Sequence, residues 1–400
     1  LKTYKLDRVK LWIPINQIEE SALAQIENMS RHPKLFKHVA IMPDVHAGVG
    51  ATIGSVLPMK DCVIPSAVGV DIGCGMIAVQ TNLTVEEVSK QFEGIYSHIH
   101  ARIPMGFKHR DYSQLFDVMR YADKELLRKV DIYEHKYTNK PILPQLGTLG
   151  GGNHFLELQR DDNNNVWIML HSGSRNIGKL IADTYIKKAK ENMDDNVPEN
   201  LEYLDVQSAD GQSYLHDMDF ALNFAYNNRQ VMIRIVKDIL GLLFGYDSVK
   251  FKQEINIHHN YVSREKHFGD WAWVHRKGAT KVSKTTMGII PGSMGTPSYI
   301  VRGTNNKDSY YSCSHGAGRT MSRTAAAGKR NRKTGEIKKK GKISLNDFQN
   351  SMSGIYSKDV NTNHLDEAPQ AYKDIDDVMN NQSDLVDIKV KLYPIFSMKG

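Results

Sequence analysis

Six residues set in glycine-rich runs carry the chemistry this sequence offers: Asp71 and Cys74 in VGVDIGCGM, His154 in LGGGNHFLEL, His171 in MLHSGSR, His259 in IHHNYV and His315 in SCSHGAGR. Oxygen, imidazole and thiolate donors together suit borderline divalent cations such as Mn²⁺, Co²⁺ or Zn²⁺. Glycines beside each donor let backbone N–H groups approach a phosphate closely. A metal site next to a phosphate cradle points to nucleotide or nucleic-acid chemistry.

Asp71 and Cys74 lie three residues apart with Gly73 and Gly75 among them. A tight turn there lets carboxylate and thiolate converge, and a thiolate between two ions can bridge them. The histidines each fall at a strand end beside Gly or Asn, which packing alone explains poorly, and neutral imidazole is the commonest protein metal ligand. Spacing does not choose between His258 and His259. The runs GVGATIG (48–54), GTLGGG (147–152), PGSMGTPS (291–298) and HGAGR (315–319) end in neither Gly-Lys-Ser/Thr nor a dinucleotide fingerprint. Each carries a hydroxyl, His or Arg, which favours anion binding, and Arg175 and Arg319 can grip phosphate through two donors at once. An imidazole at position 315, in an unhindered loop near metals, can attack an α-phosphorus and form a phosphoramidate. Cys313 is the rival nucleophile. If a strand runs on from Ser309, positions 313 and 315 face the same side.

These loops need a rigid scaffold. β-Branched and aromatic runs predict strands over 52–59, 76–81, 154–159, 166–170, 271–276, 298–302 and 309–314. Helical patterns cover 85–99, with a Thr84/Glu87 capping box, and 113–130, 177–193 and 214–244. In the last, Leu215, Met218, Leu222, Ala225, Met232 and Ile235 form a core stripe. The motif residues run from Asp44 to Lys399 and no linker or repeat interrupts them, so one integrated α/β domain over 1–400 is expected.

The chain has 400 residues, 40% apolar and 24% charged, enough for a substantial core. No apolar run reaches membrane-spanning length, and the first residues lack a secretory signal core. The start at Leu1 rather than Met is expected to be a trimmed end. Three scattered cysteines argue against a disulfide framework and for a reducing cytoplasm. The net charge of +7 is compatible with a polyanionic partner. Its concentrated source is KRNRKTGEIKKKGK (329–342), with eight Lys/Arg and one Glu, read as a basic surface insertion that either solvates a loop or contacts nucleic acid.

The motifs together resemble the RtcB family of RNA-splicing ligases, the 3′-phosphate RNA ligases that use GTP and Mn²⁺. The resemblance covers nearly the whole chain: MPDVHAGVGATIGSV (42–56), PSAVGVDIGCGM (65–76), LGTLGGGNHFLEL (146–158), WIMLHSGSR (167–175), HHNYV (258–262), HRKGAT (275–280), PGSMGTPSYIVRG (291–303), SCSHGAGR (312–319), EAPQAYKDID (367–376) and the final Lys399-Gly400.

The resemblance implies a two-metal site with Asp71, His154, His171 and His259 as ligands and Cys74 as the bridge. It places the guanylylated nucleophile on His315 rather than Cys313. It places guanine-nucleotide contacts on Asn153, His154, Phe155, Leu156 and Glu157, on His259 and Asn260, and on Pro291, Gly292, Ser293, Met294 and Ser298. Further contacts fall on Gly316, Ala317, Gly318, Tyr372 and Lys399, and an RNA-phosphate contact on Arg175. The implied fold is the family's α/β architecture, a β-sandwich-like core with surrounding helices. The implied partners are RNA with 3′-phosphate or 2′,3′-cyclic phosphate and 5′-hydroxyl ends, and an activating protein of the archease type, with a monomer expected and no membrane. Glu157 suits guanine N–H groups and would select GTP over ATP. The stretch 329–342 departs from compact bacterial members in length and basicity. The same metal ligands would also serve a metal-dependent phosphohydrolase or phosphodiesterase, which would leave PGSMGTPS, Tyr372 and Lys399 idle.

Overall fold

The computed structural model describes residues 6–191, 196–330 and 337–400. Two β-sheets carry the molecule. A seven-stranded antiparallel sheet runs in the order Met287–Ile290, Ser298–Gly303, Val386–Lys399, Phe155–Arg160, Asn165–Ser172, Gly75–Thr84 and Phe251–His258. A five-stranded sheet runs Val9–Leu11, Val39–His46, Ile53–Met59, Asp270–Lys277 and Asn260–His267, with only its first pair parallel. The chain passes from one sheet to the other at His259, between Phe251–His258 and Asn260–His267. Helices surround the sheets, so the fold is the expected mixed α/β type.

Strand alternation divides the large sheet's two faces. Ile77, Val79, Leu156, Leu158, Ile168 and Leu170 join the main core under the helices. Met76, Ala78, Phe155, Trp167 and Met169 face the other way, onto Ile289, Ile300 and Leu392. The long helix Ala209–Phe244 lies against the first face, and Ser208 caps its N-terminus by accepting from Gly211 N at 3.0 Å. Its expected stripe is there: Met218, Ala225, Met232 and Ile235 are buried, and Leu215 and Leu222 pack against the core.

Several expected elements differ in extent. The 85–99 helix is two helices, Val85–Ser89 with its Thr84/Glu87 capping box and Phe92–Arg102. The 113–130 helix breaks before Asp123, whose carboxylate caps the N–H groups of Glu125 and Leu126 and starts a new helix, Lys124–Tyr137. The 177–193 helix is Arg175–Glu191, with its expected end outside the described residues. The strand expected over 309–314 shrinks to Ser312–Ser314, because Tyr310 and Tyr311 both take positive φ (53° and 55°). In the basic stretch, Gly328–Arg330 pairs antiparallel with Ile337–Lys340, and residues 331–336 lie outside the described part. Among the described residues no helix is long and apolar enough to cross a membrane.

Candidate active site

The loops at one end of the two sheets converge. After the turn at Gly73, Cys74 leads into Gly75–Thr84, while His171 ends Asn165–Ser172, His154 precedes Phe155–Arg160 and His259 marks the change of sheet. Gly73 has φ +74°, and a Cβ there would meet the Ala225 Cβ at 2.9 Å, so this turn against the long helix requires glycine. Gly150 has φ +93°, and a Cβ would lie 2.2 Å from Arg175 Nη1 and 2.4 Å from His154 Nδ1.

Two ligand triads share Cys74: Asp71, Cys74 and His154, and Cys74, His171 and His259. Cys74 Sγ lies 3.2 Å from His171 Nε2 and 3.5 Å from His154 Nε2. His154 Nε2 lies 3.2 Å from Asp71 Oδ2, and His171 Nε2 lies 3.3 Å from His259 Nε2. His154 Nδ1 faces Leu149 O at 2.9 Å and His171 Nδ1 faces Asn153 O at 3.1 Å. A carbonyl only accepts, so both imidazoles carry their proton on Nδ1 and turn an Nε2 lone pair inward. His154 Nε2 then confronts a carboxylate oxygen and His171 Nε2 confronts sulfur. Acceptors aimed at acceptors call for cations between them, so the donor set fits a pair of divalent ions. Burial, reinforced by neighbouring histidines, holds His171 and His259 well below their usual range, hence neutral. Burial and the Asp71 charge push the Cys74 thiol up, a tendency that a bound cation would reverse. The choice between adjacent histidines is made by the change of sheet: His259 points into the cluster, and His258 turns away to Gly73 O (3.0 Å) and Arg229 Nη2 (3.1 Å).

His315 follows Ser312–Ser314 and its ring packs on that of His259, centroids 4.8 Å apart. Its Nδ1 lies 2.6 Å from Asp44 Oδ2, which also accepts from the backbone N–H of His315 (3.0 Å) and Gly316 (3.3 Å). Asp44 is wholly buried. With Nδ1 engaged, Nε2 is the nitrogen left to act. Cys313 is wholly buried in the core, its thiol pushed far up by burial and the Asp44 charge. The strand ends at Ser314, with Cys313 in the core and His315 at the cavity wall.

Beside His315 opens a cavity of about 630 Å³, within the range of nucleotide-sized sites. Its walls include Asn153, Phe155, Glu157, His171, Pro291, Gly292, Ser293, Met294, His315, Gly316, Ala317, Gly318, Tyr372 and Lys399. Leu156 does not line it: strand alternation turns this side chain into the core. Ser298 stands behind the wall, its Oγ accepting from Gly292 N (3.2 Å) and Gln159 Nε2 (3.1 Å). Asn260 supports the metal loop, donating to Asp71 O at 3.1 Å and accepting from Gly278 N at 2.8 Å. Glu157, 2% exposed, accepts from Gln159 (2.6 Å) and Ser397 (3.0 Å), and burial raises its carboxyl to about 7. Arg175, at φ +59°, donates to Thr148 Oγ1 (2.9 Å) and Gly106 O (2.8 Å) beside the metal loops.

Several pairings within the site are not given by the sequence. Asp44 lies in a quoted motif, MPDVHAG, yet its pairing with His315 spans 271 positions. Glu367 accepts from Lys399 Nζ (2.6 Å), Tyr372 OH (2.9 Å) and Arg323. Burial opposes its ionisation, but Lys399 and Arg323 outweigh that and hold it at about 2. Arg319 stacks on Tyr372 (5.1 Å) and donates to Asp366 O (2.7 Å), so it forms wall rather than reaching free into the cavity. From the long helix, Asn228 binds Gly147 N, Thr148 N and O, Ser172 Oγ and Gly173 O, and Arg229 donates to Gly73 O and Ser172 O. That helix therefore ties the ligand-bearing loops together.

Two ligand triads sharing a thiol, beside a nucleotide-sized cavity with a carboxylate-held histidine, are the donor set of a metal-assisted enzyme. Comparison with known proteins narrows the class. The tRNA-splicing ligase RtcB family profile matches residues 25–400. The RNA-splicing ligase RtcB of Escherichia coli K12 is 38% identical, over 98% of this chain and 97% of that protein. The tRNA-splicing ligases RtcB of Nanoarchaeum equitans and Thermococcus kodakarensis are each 30% identical, over 96% of this chain and 92% of theirs. The chain belongs to the RtcB family of RNA ligases.

Proposed function

We propose that this enzyme joins RNA 3′-phosphate ends, or 2′,3′-cyclic phosphates first opened to them, to 5′-hydroxyl ends, using GTP and Mn²⁺. The observation that carries the reading is the Asp44–His315 pair at the wall of the cavity, next to His259. Asp44 holds the Nδ1 proton, so the neutral Nε2 lone pair attacks the α-phosphorus of GTP. An N–P bond forms, the bond to the β-phosphate oxygen breaks, and pyrophosphate leaves. The Asp44 carboxylate stabilises the positive charge left on the ring. An oxygen of the RNA 3′-phosphate then attacks that phosphorus, the N–P bond breaks, and the RNA end carries a 3′-diphosphate linked to guanosine. The 5′-hydroxyl oxygen attacks the RNA-side phosphorus, GMP departs and a 3′,5′-phosphodiester remains.

Asp71, Cys74 and His154 would hold one ion and Cys74, His171 and His259 the other. When bound, the ions would supply positive charge beside the crowded phosphates. Glu157 would accept from guanine N–H groups; adenine presents an acceptor there, and a mismatched buried polar group costs ~1–3 kcal/mol. Lys399 and Tyr372, held by Glu367, would complete the base pocket. Arg175 would bind an RNA phosphate. Three buried free thiols, one of them shared by both triads, suit a reducing cytoplasm. The whole chain, basic segment included, would work as one catalytic unit and as a monomer, with an archease-type protein as activator.

Ligation of defined RNA pairs tests this reading. Joined product is expected from 3′-phosphate or cyclic-phosphate ends with 5′-hydroxyl ends, with GTP but not ATP, and none from 3′-hydroxyl ends. Phosphate release without joining would replace the ligase with a phosphohydrolase.

A further inference from the structure

Beside the metal loops lies a short turn whose sequence, Pro104-Met-Gly-Phe-Lys-His-Arg110, has no part in the site described above. Its base is fixed. Leu149 N donates to Pro104 O (2.9 Å), Gly106 N to Gly150 O (2.8 Å) and Lys108 N to Met105 O (3.2 Å). Arg175 Nη2 donates to Gly106 O at 2.8 Å, and buried Arg110 donates to Leu146 O at 2.9 Å. The turn therefore rests on the glycine loop that carries Asn153 and His154, and on the Arg175 guanidinium proposed above to bind an RNA phosphate.

At its tip stands Phe107, 99% exposed. A phenyl ring left wholly in water forgoes the stabilisation of burial, and here it sits on an anchored turn rather than a frayed terminus. Lys108 and His109 beside it are exposed as well. Beyond them come Tyr112 and Phe116, 82% and 68% exposed, and the only carboxylate from 104 to 116 is Asp111. Aromatic faces interleaved with basic groups, continuous with Arg175, match single-stranded nucleic acid, whose bases stack on such rings with little regard to sequence.

We propose that Phe107 is a stacking platform for a base of the single-stranded RNA end whose phosphate reaches Arg175. This rests on the RNA-ligase reading above. Stacking there would seat the strand beside the reacting ends, while phosphate contacts set its register.

The experiment compares wild type with Phe107→Ala, Phe107→Leu and Phe107→Trp in two assays. Covalent labelling of the protein by GTP with Mn²⁺ needs no RNA and is expected to be unchanged in all three. Ligation is measured while the 3′-phosphate strand and the 5′-hydroxyl strand are varied separately. Phe107→Ala and Phe107→Leu are expected to raise KM for one strand roughly tenfold, with Phe107→Trp near wild type. A 2-aminopurine at the strand end should lose its quenching in Phe107→Ala. Unchanged KM for both strands in Phe107→Ala overturns the proposal. So does Phe107→Leu acting like wild type, which would mean that apolar bulk, not an aromatic face, is what the tip supplies. Failure of the wild type to take label from GTP removes the ligase reading itself, and the platform with it.

Discussion

Replacing Glu157 with Gln separates what the site costs the fold from what it gives the reaction. Glu157 is 2% exposed, and its carboxyl is raised from a usual 4.5 to about 7, chiefly by burial, against the lowering effects of Gln159, Lys399 and Ser397. A folded-state value above the unfolded one means the native protein binds the extra proton between those pH values. Stability is then full below about pH 4.5, falls as pH rises through about 7, and is flat above. The displacement corresponds to about 3 kcal/mol at pH 8. Glu157→Gln removes that cost, and buried Gln159, whose Oε1 has no partner, can turn to accept from the new amide. The variant should therefore unfold a few degrees higher than wild type at pH 8 and no higher at pH 4.5. Guanine recognition should move the opposite way. Losing a charged acceptor for guanine N–H groups should cost about 1.5–3 kcal/mol, a KM for GTP roughly 10- to 100-fold higher. In wild type, kcat/KM for GTP-dependent labelling should fall as pH drops below about 7, while the variant should show no such step. Thermal unfolding across pH, with labelling against GTP concentration, measures both halves. A variant less stable at pH 8, or one that keeps wild-type KM, would refute the assignment of a buried, strained base-reading carboxylate.

Three further outcomes follow from the same geometry. Asp44→Asn should slow covalent labelling roughly 10²- to 10⁴-fold with little change in GTP affinity, because the acceptor fixing the His315 tautomer is lost; a rate within threefold of wild type would count against the pair. Cys74→Ala should bind about two fewer Mn²⁺ per chain by metal analysis and lose labelling with them, since both triads share its sulfur; full labelling in a metal-verified sample would contradict the bridge. Asn228→Ala should lose about 2–4 kcal/mol in denaturant unfolding and weaken metal binding, because two buried N–H groups and two carbonyls lose their partner; unchanged metal affinity would mean the loops hold their shape without it.

The parts legible in the sequence are those where local chemistry and local geometry coincide. Asp71, Cys74, His154 and His171 could be picked out because each sits where a strand meets a glycine turn, and their side chains do converge. Phe155 and Glu157 reach the cavity while Leu156 goes to the core, as alternation requires, and His154 turns to the ligand cluster. The choice of His259 over His258 depends on a change of sheet that no spacing encodes. The polar strands Phe251–His258 and Asn260–His267 lack continuous apolar runs, and Val386–Lys399 begins with alternating charges before its apolar half. Phe251–His258 and Val386–Lys399 pair with strands far away in sequence, whereas Asn260–His267 forms a hairpin with Asp270–Lys277. Asn228 and Arg229 sit in a helix whose apolar stripe conceals them, and the partners of Asp44 and Glu367 are likewise set by tertiary folding alone.

The central claim is that the imidazole at position 315 takes a guanylate from GTP. Incubating the protein with α-phosphorus-labelled GTP and Mn²⁺, then mapping the adduct by peptide mass spectrometry, tests it most directly. One GMP bonded to His315, labile to acid, stable to alkali and absent from His315→Ala, is the predicted result. Label that persists in His315→Ala, or an adduct on Cys313 or any other side chain, would contradict it.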